Sequence, residues 1–538
     1  MTSTSLPPEP AATPSPPTAA ARRVRWWPAL VILALALLVY AALWFIPHLS
    51  QQHFNLHVAQ VVIGTSLLLV LWLLLFSRLR WQRRLLCLGV IVLSLAAVAA
   101  LFRIRGVTGN LVPILEPRWA RREFQQLSSS AGAKATLAAR SDAALATAIP
   151  GAADFPQFLG PTRDTKLPGP RLATNWTVQP PALLWRQPVG AAWSGFAVAG
   201  SVAVTQEQRG EDECVVAYHL TTGRLLWSHT ARTRYFTTLA GEGPRATPTL
   251  ARGRVFTQGA TGILSCLELE TGQLRWSLNI FTNNQTRMPG WGQACSPLVL
   301  GDWVIVAPGG HHDRSLVAYR VDDGSFVWGA GKDGDTYSSP MPVTLGGVRQ
   351  IVLFADRLVG HDAATGKPLW KHPWPGGHPH ICMPVVASDS ELIVSSGYGT
   401  GSARVRVERD AEGNWQAKQL WRSNRMKAKF TNLVLHRGFL YGLDDGIMAC
   451  LDAANGEFKW KDGKYGHGQV LLVDELLLVM AEDGTVVLVD PSPDGLHELT
   501  RFTALHDKTW NPPALAGEYF LARNDKEAVC FRLPVRTP

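Results

Sequence analysis

The sequence predicts an all-β fold, an eight-bladed β-propeller, preceded by three transmembrane α-helices. Two observations support this prediction: a phrase that recurs throughout the C-terminal part of the chain, and a long stretch without charge near the N-terminus. At 538 residues, the chain is also long enough for more than one structural unit. The predicted organisation is a disordered cytoplasmic tail at 1–25, a three-helix membrane anchor at 26–104, a linker at 105–153 and the propeller at 154–538.

The apolar N-terminal region predicts three membrane spans. No Asp, Glu, Lys or Arg occurs from Trp26 to Ser77, and polar residues interrupt this run at Pro47–Asn55. The predicted spans are roughly Trp26–Ile46, His57–Phe76 and Leu85–Phe102. Each approaches the ~20 residues that cross a bilayer, whereas a cleaved signal peptide would have one apolar core of about 7–15 residues.

Basic charge is concentrated before residue 124. Residues 1–123 contain twelve arginines, no lysine and three acids, and the rest of the chain is close to neutral. A neutral main body predicts no nucleic-acid partner. Arginines precede the first span and separate the second from the third, which places the N-terminus in the cytoplasm. We therefore expect a multi-pass protein of the inner (cytoplasmic) membrane with a periplasmic propeller, although five arginines after the third span favour the opposite orientation.

One phrase recurs beyond residue 154: a small residue, an alternating strand, a glycine turn, and a Trp four residues after the glycine. Clear copies are Ala217–Trp227, Cys266–Trp276, Ala318–Trp328, Gly360–Trp370 and Cys450–Trp460. A looser copy ends at Trp421, a degenerate copy ends near Phe502, and a lone strand ends at Trp185. Strands joined by tight glycine turns at a period of about 40–50 residues are typical of propeller blades.

These eight closing positions predict eight blades. The strand at Trp185 has no partner strands before it, and the segment Trp510–Leu533 supplies three strands without a closing Trp. We expect these two parts to combine into one blade, because their pairing removes a free sheet edge.

The Ala/Cys-x-Asp-x-x-x-Gly-x-x-x-Trp pattern resembles the repeats of pyrroloquinoline-quinone-type (PQQ-like) propellers. That family includes quinone-dependent alcohol dehydrogenases and the propeller lipoprotein of the outer-membrane protein assembly machinery. The opening segment Asp154–Arg163 is similar to that of uncharacterised bacterial members. The resemblance implies that each blade Trp docks against the next blade. The blade Trp residues are Trp185, Trp227, Trp276, Trp328, Trp370, Trp421 and Trp460.

A short polar phrase precedes each predicted inner strand, so eight such phrases are expected to surround the propeller axis. They are Trp193–Phe196, Arg245–Pro248, Ala294–Pro297, Tyr337–Pro340, Ile381–Pro384, Lys429–Asn432, Gly466–Gln469 and Thr509–Pro512. They share one face with the long loops, where function is expected. Ser-Pro and Thr-Pro pairs that merely start an edge strand also explain most of this pattern. The candidate ligand-binding residues at this funnel mouth are Ser194, Arg245, Thr247, Ser296, Tyr337, Ser339, Lys429, Asn432, His467, Gln469, Trp510 and Asn511.

The resemblance implies that family dehydrogenases hold the quinone over a Ca²⁺ ion beside an acidic base. Calcium takes roughly six to eight oxygen ligands, usually including carboxylates. None of the eight phrases contains Asp or Glu, and Arg245 and Lys429 place two cations there. We therefore expect no cofactor and no metal, and we assign no catalytic residue. Glu207, Glu211 and Asp313, on loops of the same face, remain open as acids that reach inward.

Three functions remain open from the sequence. The first is a non-enzymatic binding or scaffold module for other envelope or membrane proteins, acting in envelope protein assembly. The second is a PQQ-dependent alcohol or sugar dehydrogenase. The third is a propeller that binds a small anionic ligand between Arg245 and Lys429.

Overall fold

The computed structural model describes residues 24–46, 51–120, 153–310 and 312–536. The chain divides into a helical N-terminal unit and a second unit, which contains Gln51, Gln52 and the described residues from Ile104 onward, including the propeller. Most of the predicted tail and positions 121–152 of the predicted linker lie outside the described residues.

Three apolar helices make up the N-terminal unit: α1 (Trp27–Leu43), α2 (Gln51–Leu71) and α3 (Trp81–Leu101). Helix α2 continues as a π-helical segment, Trp72–Phe76. By length and composition, Gln51–Phe76 and α3 are long and apolar enough to cross a membrane, whereas α1 has 17 residues. Each predicted span therefore falls largely on a helix, with boundaries that differ by several residues.

Eight antiparallel sheets form the blades, which confirms the predicted eight-bladed propeller. From inner to outer strand, blade 1 contains Ala197–Ala199, Val202–Arg209, Asp212–His219 and Leu225–Ala231, and blade 2 contains Thr249–Ala251, Arg254–Gln258, Ile263–Glu268 and Leu274–Asn279. Blade 3 contains Leu298–Leu300, Trp303–Val306, Leu316–Arg320 and Phe326–Ala330, and blade 4 contains Met341–Leu345, Val348–Phe354, Arg357–Asp362 and Pro368–Pro373. Blade 5 contains Val385–Ser388, Glu391–Ser396, Gly401–Arg409 and Trp415–Ser423, and blade 6 contains Val434–His436, Phe439–Asp444, Ile447–Asp452 and Phe458–Lys464. Blade 7 contains Gln469–Val473, Leu476–Met480, Thr485–Asp490 and His497–Thr503, and blade 8 contains Ala514–Ala516, Tyr519–Arg523, Glu527–Arg532 and Ala182–Pro188.

A few short elements lie outside this pattern. Lys166–Leu167 adds a fifth, parallel strand to the inner edge of blade 7. The other elements are the strand pair Phe102–Val107 and Pro113–Pro117, the strand pair Phe236–Thr237 and Gly241–Glu242, and helix α4, Ile280–Asn284.

The recurring phrase forms the outer hairpin of the blades that carry a clear copy of it. Its small residue lies directly opposite the closing Trp, as Ala217 does opposite Trp227. Cys266 faces Trp276 in the same way, and a β-bulge follows the small residue in both blades. The small side chain leaves room for the indole, which explains why the phrase accepts Ala, Cys or Gly at that position.

Five closing Trp residues, Trp185, Trp227, Trp276, Trp328 and Trp421, pack on the turn glycine of the next blade. A Cβ atom added at Gly272 would lie 2.4 Å from the Trp227 ring, and Gly272 has φ +67°. The Trp227 indole also donates a hydrogen bond to the Leu269 carbonyl at 2.9 Å. The same indole-to-carbonyl bond joins Trp185 to Leu220, Trp276 to Val321, Trp421 to Ala453 and Trp460 to Ser492. Trp328 packs on Gly366, whereas Trp370 donates to Gln350 of its own blade.

Blade 7 has no Trp at its closing position. Thr500 lies opposite the small-residue position, Leu488, so the degenerate copy closes two residues before the predicted Phe502. Trp176 packs edge-on against Phe502, with ring centroids 5.3 Å apart, and its backbone N–H donates to Thr500 Oγ1. A Trp from another part of the chain therefore packs where the repeat lacks its own.

Blade 8 closes the ring with strands from both ends of the propeller sequence. Ala182–Pro188 pairs antiparallel with Glu527–Arg532, and Trp185 lies opposite Cys530. This confirms the predicted joining of the first and last strands.

The segment Asp154–Leu167, which we call the axial segment, runs along the inner strands of most blades. Phe155 pairs with Val198 of blade 1, and Lys166 pairs with Leu472 of blade 7. Arg163 is completely buried and donates to the carbonyls of Ser296 and Pro297, both at 3.0 Å. Burial lowers the pKa of Arg163 to about 10.

We predict that Gly272→Ala destabilises the propeller more than Gly253→Ala. Both glycines belong to blade 2 and have nearly equal φ, +67° and +69°, but nothing lies within 4 Å of a Cβ at Gly253. Left-handed alanine costs roughly 1–2 kcal/mol at either site, and the clash with Trp227 adds about 1–3 kcal/mol at Gly272. Chemical denaturation of the detergent-purified chain measures both losses. Equal losses would show that the Trp–glycine contact contributes nothing.

Candidate functional site

The polar phrases surround the axis, and their short side chains bond from blade to blade. The Thr247 hydroxyl accepts the Gly195 N–H at 3.1 Å, and the Ser296 hydroxyl accepts the Thr247 N–H at 2.9 Å. The Ser339 hydroxyl in turn accepts the Ser296 N–H at 2.9 Å. These bonds link consecutive blades, so the hydroxyls have a structural role in the ring.

Amide side chains make similar links around the rest of the ring. Asn432 Oδ1 accepts the Met383 N–H at 2.8 Å. The Asn511 amide donates to the Ala192 and Ser194 carbonyls, at 3.0 and 2.8 Å. The Gln469 amide donates to the Phe430 and Trp510 carbonyls, at 2.7 and 3.0 Å.

A cavity of about 260 Å³ lies at the funnel mouth. Seven aromatic residues line it: Phe158, Trp193, Trp291, Tyr337, Tyr398, Phe430 and Trp510. Eight of the twelve predicted residues line it: Arg245, Ser296, Tyr337, Ser339, Lys429, Asn432, Gln469 and Trp510. The other four, Ser194, Thr247, His467 and Asn511, lie outside this lining.

A β-hairpin that precedes the propeller in sequence occupies the mouth. Its strands are Phe102–Val107 and Pro113–Pro117, and we call the connection Val107–Val112 the mouth turn. Val107, Thr108, Gly109 and Leu111 line the cavity. Residues 105–153 were predicted to be a linker, but 105–117 largely form an ordered hairpin. The Gly-Asn pair between valines was the signal that could have revealed it.

Charged side chains of the propeller bind the main chain of the mouth turn. Lys508 Nζ donates to the Val107 carbonyl at 3.1 Å, and Lys429 Nζ donates to the Gly109 carbonyl. Glu482 Oε1 accepts the Gly109 N–H at 2.8 Å. Lys508 and Glu482 were not among the predicted site residues, because Lys508 precedes its polar phrase and Glu482 lies on a central hairpin of blade 7.

The mouth turn also fits closely against His467. His467 Nε2 lies 3.0 Å from Asn110 Oδ1, and a Cβ atom added at Gly109 would lie 1.9 Å from His467 Cδ2. A Cβ atom added at Gly106 would have no neighbour closer than 3.5 Å. Outside the turn, Arg105 forms an ion pair with Asp507 at 2.9 Å. Glycine is therefore required at 109 for close contact but not at 106.

Burial shifts the pKa values of the charged side chains that bind the mouth turn. It lowers the pKa of Lys429 and of Lys508 to about 8 in each case. Burial also acts to raise the pKa of Glu482, but N–H donors, including those of His467 and Gly109, hold that pKa below its usual value. The Lys508 ammonium lies 4.1 Å from the centroid of the Trp510 ring and 4.6 Å from that of the Trp193 ring, a cation–π arrangement.

The three acids that the sequence left open make contacts outside the cavity lining. Glu207 is buried and accepts hydrogen bonds from Arg209 at 2.9 Å and from the Tyr218 hydroxyl at 2.7 Å. Glu211 pairs with Arg234, and Asp313 is exposed. Among the residues that the structure describes, no group of three or more His, Cys, Asp or Glu is placed to hold a metal ion.

Arg245, one of the two predicted cations, is committed to local contacts. Its guanidinium donates to the carbonyls of Ala240, Gly241 and Gly243 and lies 4.3 Å from the centroid of the Tyr235 ring. Burial lowers the pKa of Arg245 to about 10. Arg245 therefore supports the loop beside the cavity.

The fold and the ring of blade contacts define a PQQ-type propeller. Residues 178–279 and 211–462 match the family model described as "Outer membrane protein assembly factor BamB". These matches together cover more than half of the chain, and the chain therefore belongs to this family. No curated protein sequence matched the chain.

Solved structures show the same fold. The quinohemoprotein alcohol dehydrogenase from Comamonas testosteroni is 12% identical, with a TM-score of 0.51, over 77% of this chain and 84% of that chain. BamB from Moraxella catarrhalis is 15% identical, with a TM-score of 0.48, over 66% of this chain and 100% of that chain. At these identities the likeness concerns the fold alone.

Proposed function

We propose that this protein is a membrane-anchored, extracytoplasmic propeller whose mouth binds polypeptide segments of other envelope or membrane proteins without catalysing a reaction. The observation that carries the proposal is the main-chain recognition of the mouth turn. Lys429, Lys508 and Glu482 bind two carbonyls and one N–H, groups that almost every polypeptide presents. Aromatic walls beside them suit apolar side chains of varied shape.

Membrane anchoring is supported by the helical unit. The apolar side chains of α1 to α3 are widely exposed, as at Leu37 (68%) and Leu93 (70%), which is costly in water and favourable in lipid. The arginines before the first helix and between the second and third favour a cytoplasmic N-terminus. Three crossings then export the propeller, in a multi-pass protein of the inner membrane. A role in envelope protein assembly accords with the family to which the chain belongs.

The residues at the mouth do not fit a PQQ–calcium centre. Lys429 and Lys508 bring positive charge to the cavity region, and Glu482 already accepts N–H groups from Gly109, His467 and Trp510. A calcium site needs several free oxygen ligands, usually with more than one carboxylate. The residues at the mouth therefore support no redox step. Purified protein mixed with PQQ and Ca²⁺ should show no dye-linked oxidation of alcohols or sugars. A small anion is also disfavoured, because carbonyls engage both Arg245 and Lys429.

The membrane topology can be tested with alkaline phosphatase fusions. We expect an active reporter when it follows the propeller at the C-terminus, because the enzyme needs an oxidising compartment. A fusion that ends at Leu79, before α3, should be inactive even when its protein level equals that of the C-terminal fusion. Activity at Leu79 and none at the C-terminus would contradict the proposed orientation.

Polypeptide binding can be tested with a fluorescein-labelled peptide of residues 104–115. The receptor is the full chain in detergent carrying Gly109→Ala, since the added methyl meets His467 and displaces the chain's own turn. In this background, Lys508→Ala should weaken binding about ten- to a hundredfold, because a hydrogen bond from a charged donor contributes about 1.5–3 kcal/mol. Fluorescence anisotropy measures the affinity. Lys371→Ala, on an exposed lysine of blade 4, is the matched control. Absence of peptide binding would overturn the proposal.

A further inference from the structure

We propose that the cavity at the mouth accepts a Trp or Tyr side chain from a turn of the partner polypeptide. This inference rests on the proposed polypeptide-binding function. The chain's own mouth turn is then a weaker occupant that the partner displaces. This assignment specifies the partner's chemistry, a tight turn that carries one large aromatic residue with a polar N–H or O–H.

The mouth turn satisfies the charged groups but leaves the cavity unfilled. The turn residues that line the cavity are Val107, Thr108, Gly109 and Leu111, none of which is aromatic. The cavity that they line still has a free volume of about 260 Å³. An apolar cavity of about 150 Å³ is enough to hold benzene, so this one has room for an indole or a phenol.

The walls suit an aromatic guest. Trp510 lies between Trp193 and Phe430, with ring centroids 5.0 and 4.9 Å apart, and Trp291 lies 5.7 Å from Tyr337. Aromatic rings prefer offset or edge-on contacts at about 4.5–7 Å between centroids, which this spacing allows an added ring to make.

A polar group at the cavity favours Trp or Tyr over Phe. Tyr398 lines the cavity, and its buried hydroxyl has no hydrogen-bond partner among the residues that the structure describes. A buried polar atom without a partner is costly, and an indole N–H or a phenol O–H can satisfy it.

The conformation of the mouth turn explains why it can be displaced. Leu111 has φ +60°, a left-handed conformation that branched residues rarely adopt. The turn therefore keeps its main-chain contacts only by holding a strained leucine over an unfilled space.

The test compares three labelled peptides of residues 104–115 on the Gly109→Ala chain: the native sequence, Leu111→Trp, and Val112→Trp. Leu111 lines the cavity, whereas Val112 is 48% exposed and lies outside the lining, so Val112→Trp controls for added hydrophobicity. We expect Leu111→Trp to bind about ten- to a hundredfold more tightly than the native peptide, the gain expected from burying a large apolar side chain. Val112→Trp should bind within about threefold of the native peptide.

Two further variants complete the test. The Gly106→Ala chain, whose added methyl has no close neighbour, keeps its own turn in place and should bind all three peptides more weakly than the Gly109→Ala chain. If Gly109→Ala lowers the thermal stability of the propeller, Arg105→Ala, which breaks the ion pair with Asp507, serves as the alternative way to release the turn.

The outcomes separate this inference from the function on which it rests. If the native peptide binds but Leu111→Trp brings no gain over Val112→Trp, the aromatic-guest inference is overturned and polypeptide binding stands. If no peptide binds to either released variant, the proposed function itself fails.

Discussion

The contact between the closing Trp of one blade and the turn glycine of the next, which occurs at five blade boundaries, is the constraint on which the propeller depends. It joins an indole ring to a backbone turn across the blade boundary, as Trp227 does with Gly272, and so sets how one sheet meets the next. Repeated around the ring, this geometry brings the last strands back to Ala182–Pro188, whose pairing closes the circle. Closure then places eight polar phrases around one axis, where they bond to one another and border the cavity.

The repeat made the fold predictable, because its spacing carries both partners of the blade contact. The small residue, the glycine and the Trp are visible in the sequence, and the structure pairs them as Cys266 with Trp276 within a blade and Gly324 with Trp276 between blades. The closing position of blade 7 was predicted two residues too late, near Phe502, because Thr500 is not a Trp and carries no such signal. The ring positions were also predictable from the polar phrases, although their hydrogen bonds between blades were not.

The mouth turn and two of the three groups that bind it, Lys508 and Glu482, were harder to predict, because they lie outside the polar phrases. The hairpin lies before the propeller, in a region whose composition indicated a linker. Glu482 lies on a central hairpin, where acids are common and mostly solvated, and only the ring geometry brings it to Gly109. Burial then shifts the pKa values of its lysine neighbours, an effect of three-dimensional surroundings that residue spacing does not encode.

In the proposed function, the mouth turn is held against the propeller through its backbone. Hydrogen–deuterium exchange of the full chain, resolved to single amides, measures this directly. The Gly109 amide, which is buried and donates to Glu482, should exchange at least about a hundredfold more slowly than the Gly413 amide in an exposed turn of blade 5. Equal exchange rates at Gly109 and Gly413 would show that the turn is not held in the mouth, and would contradict main-chain recognition at this site.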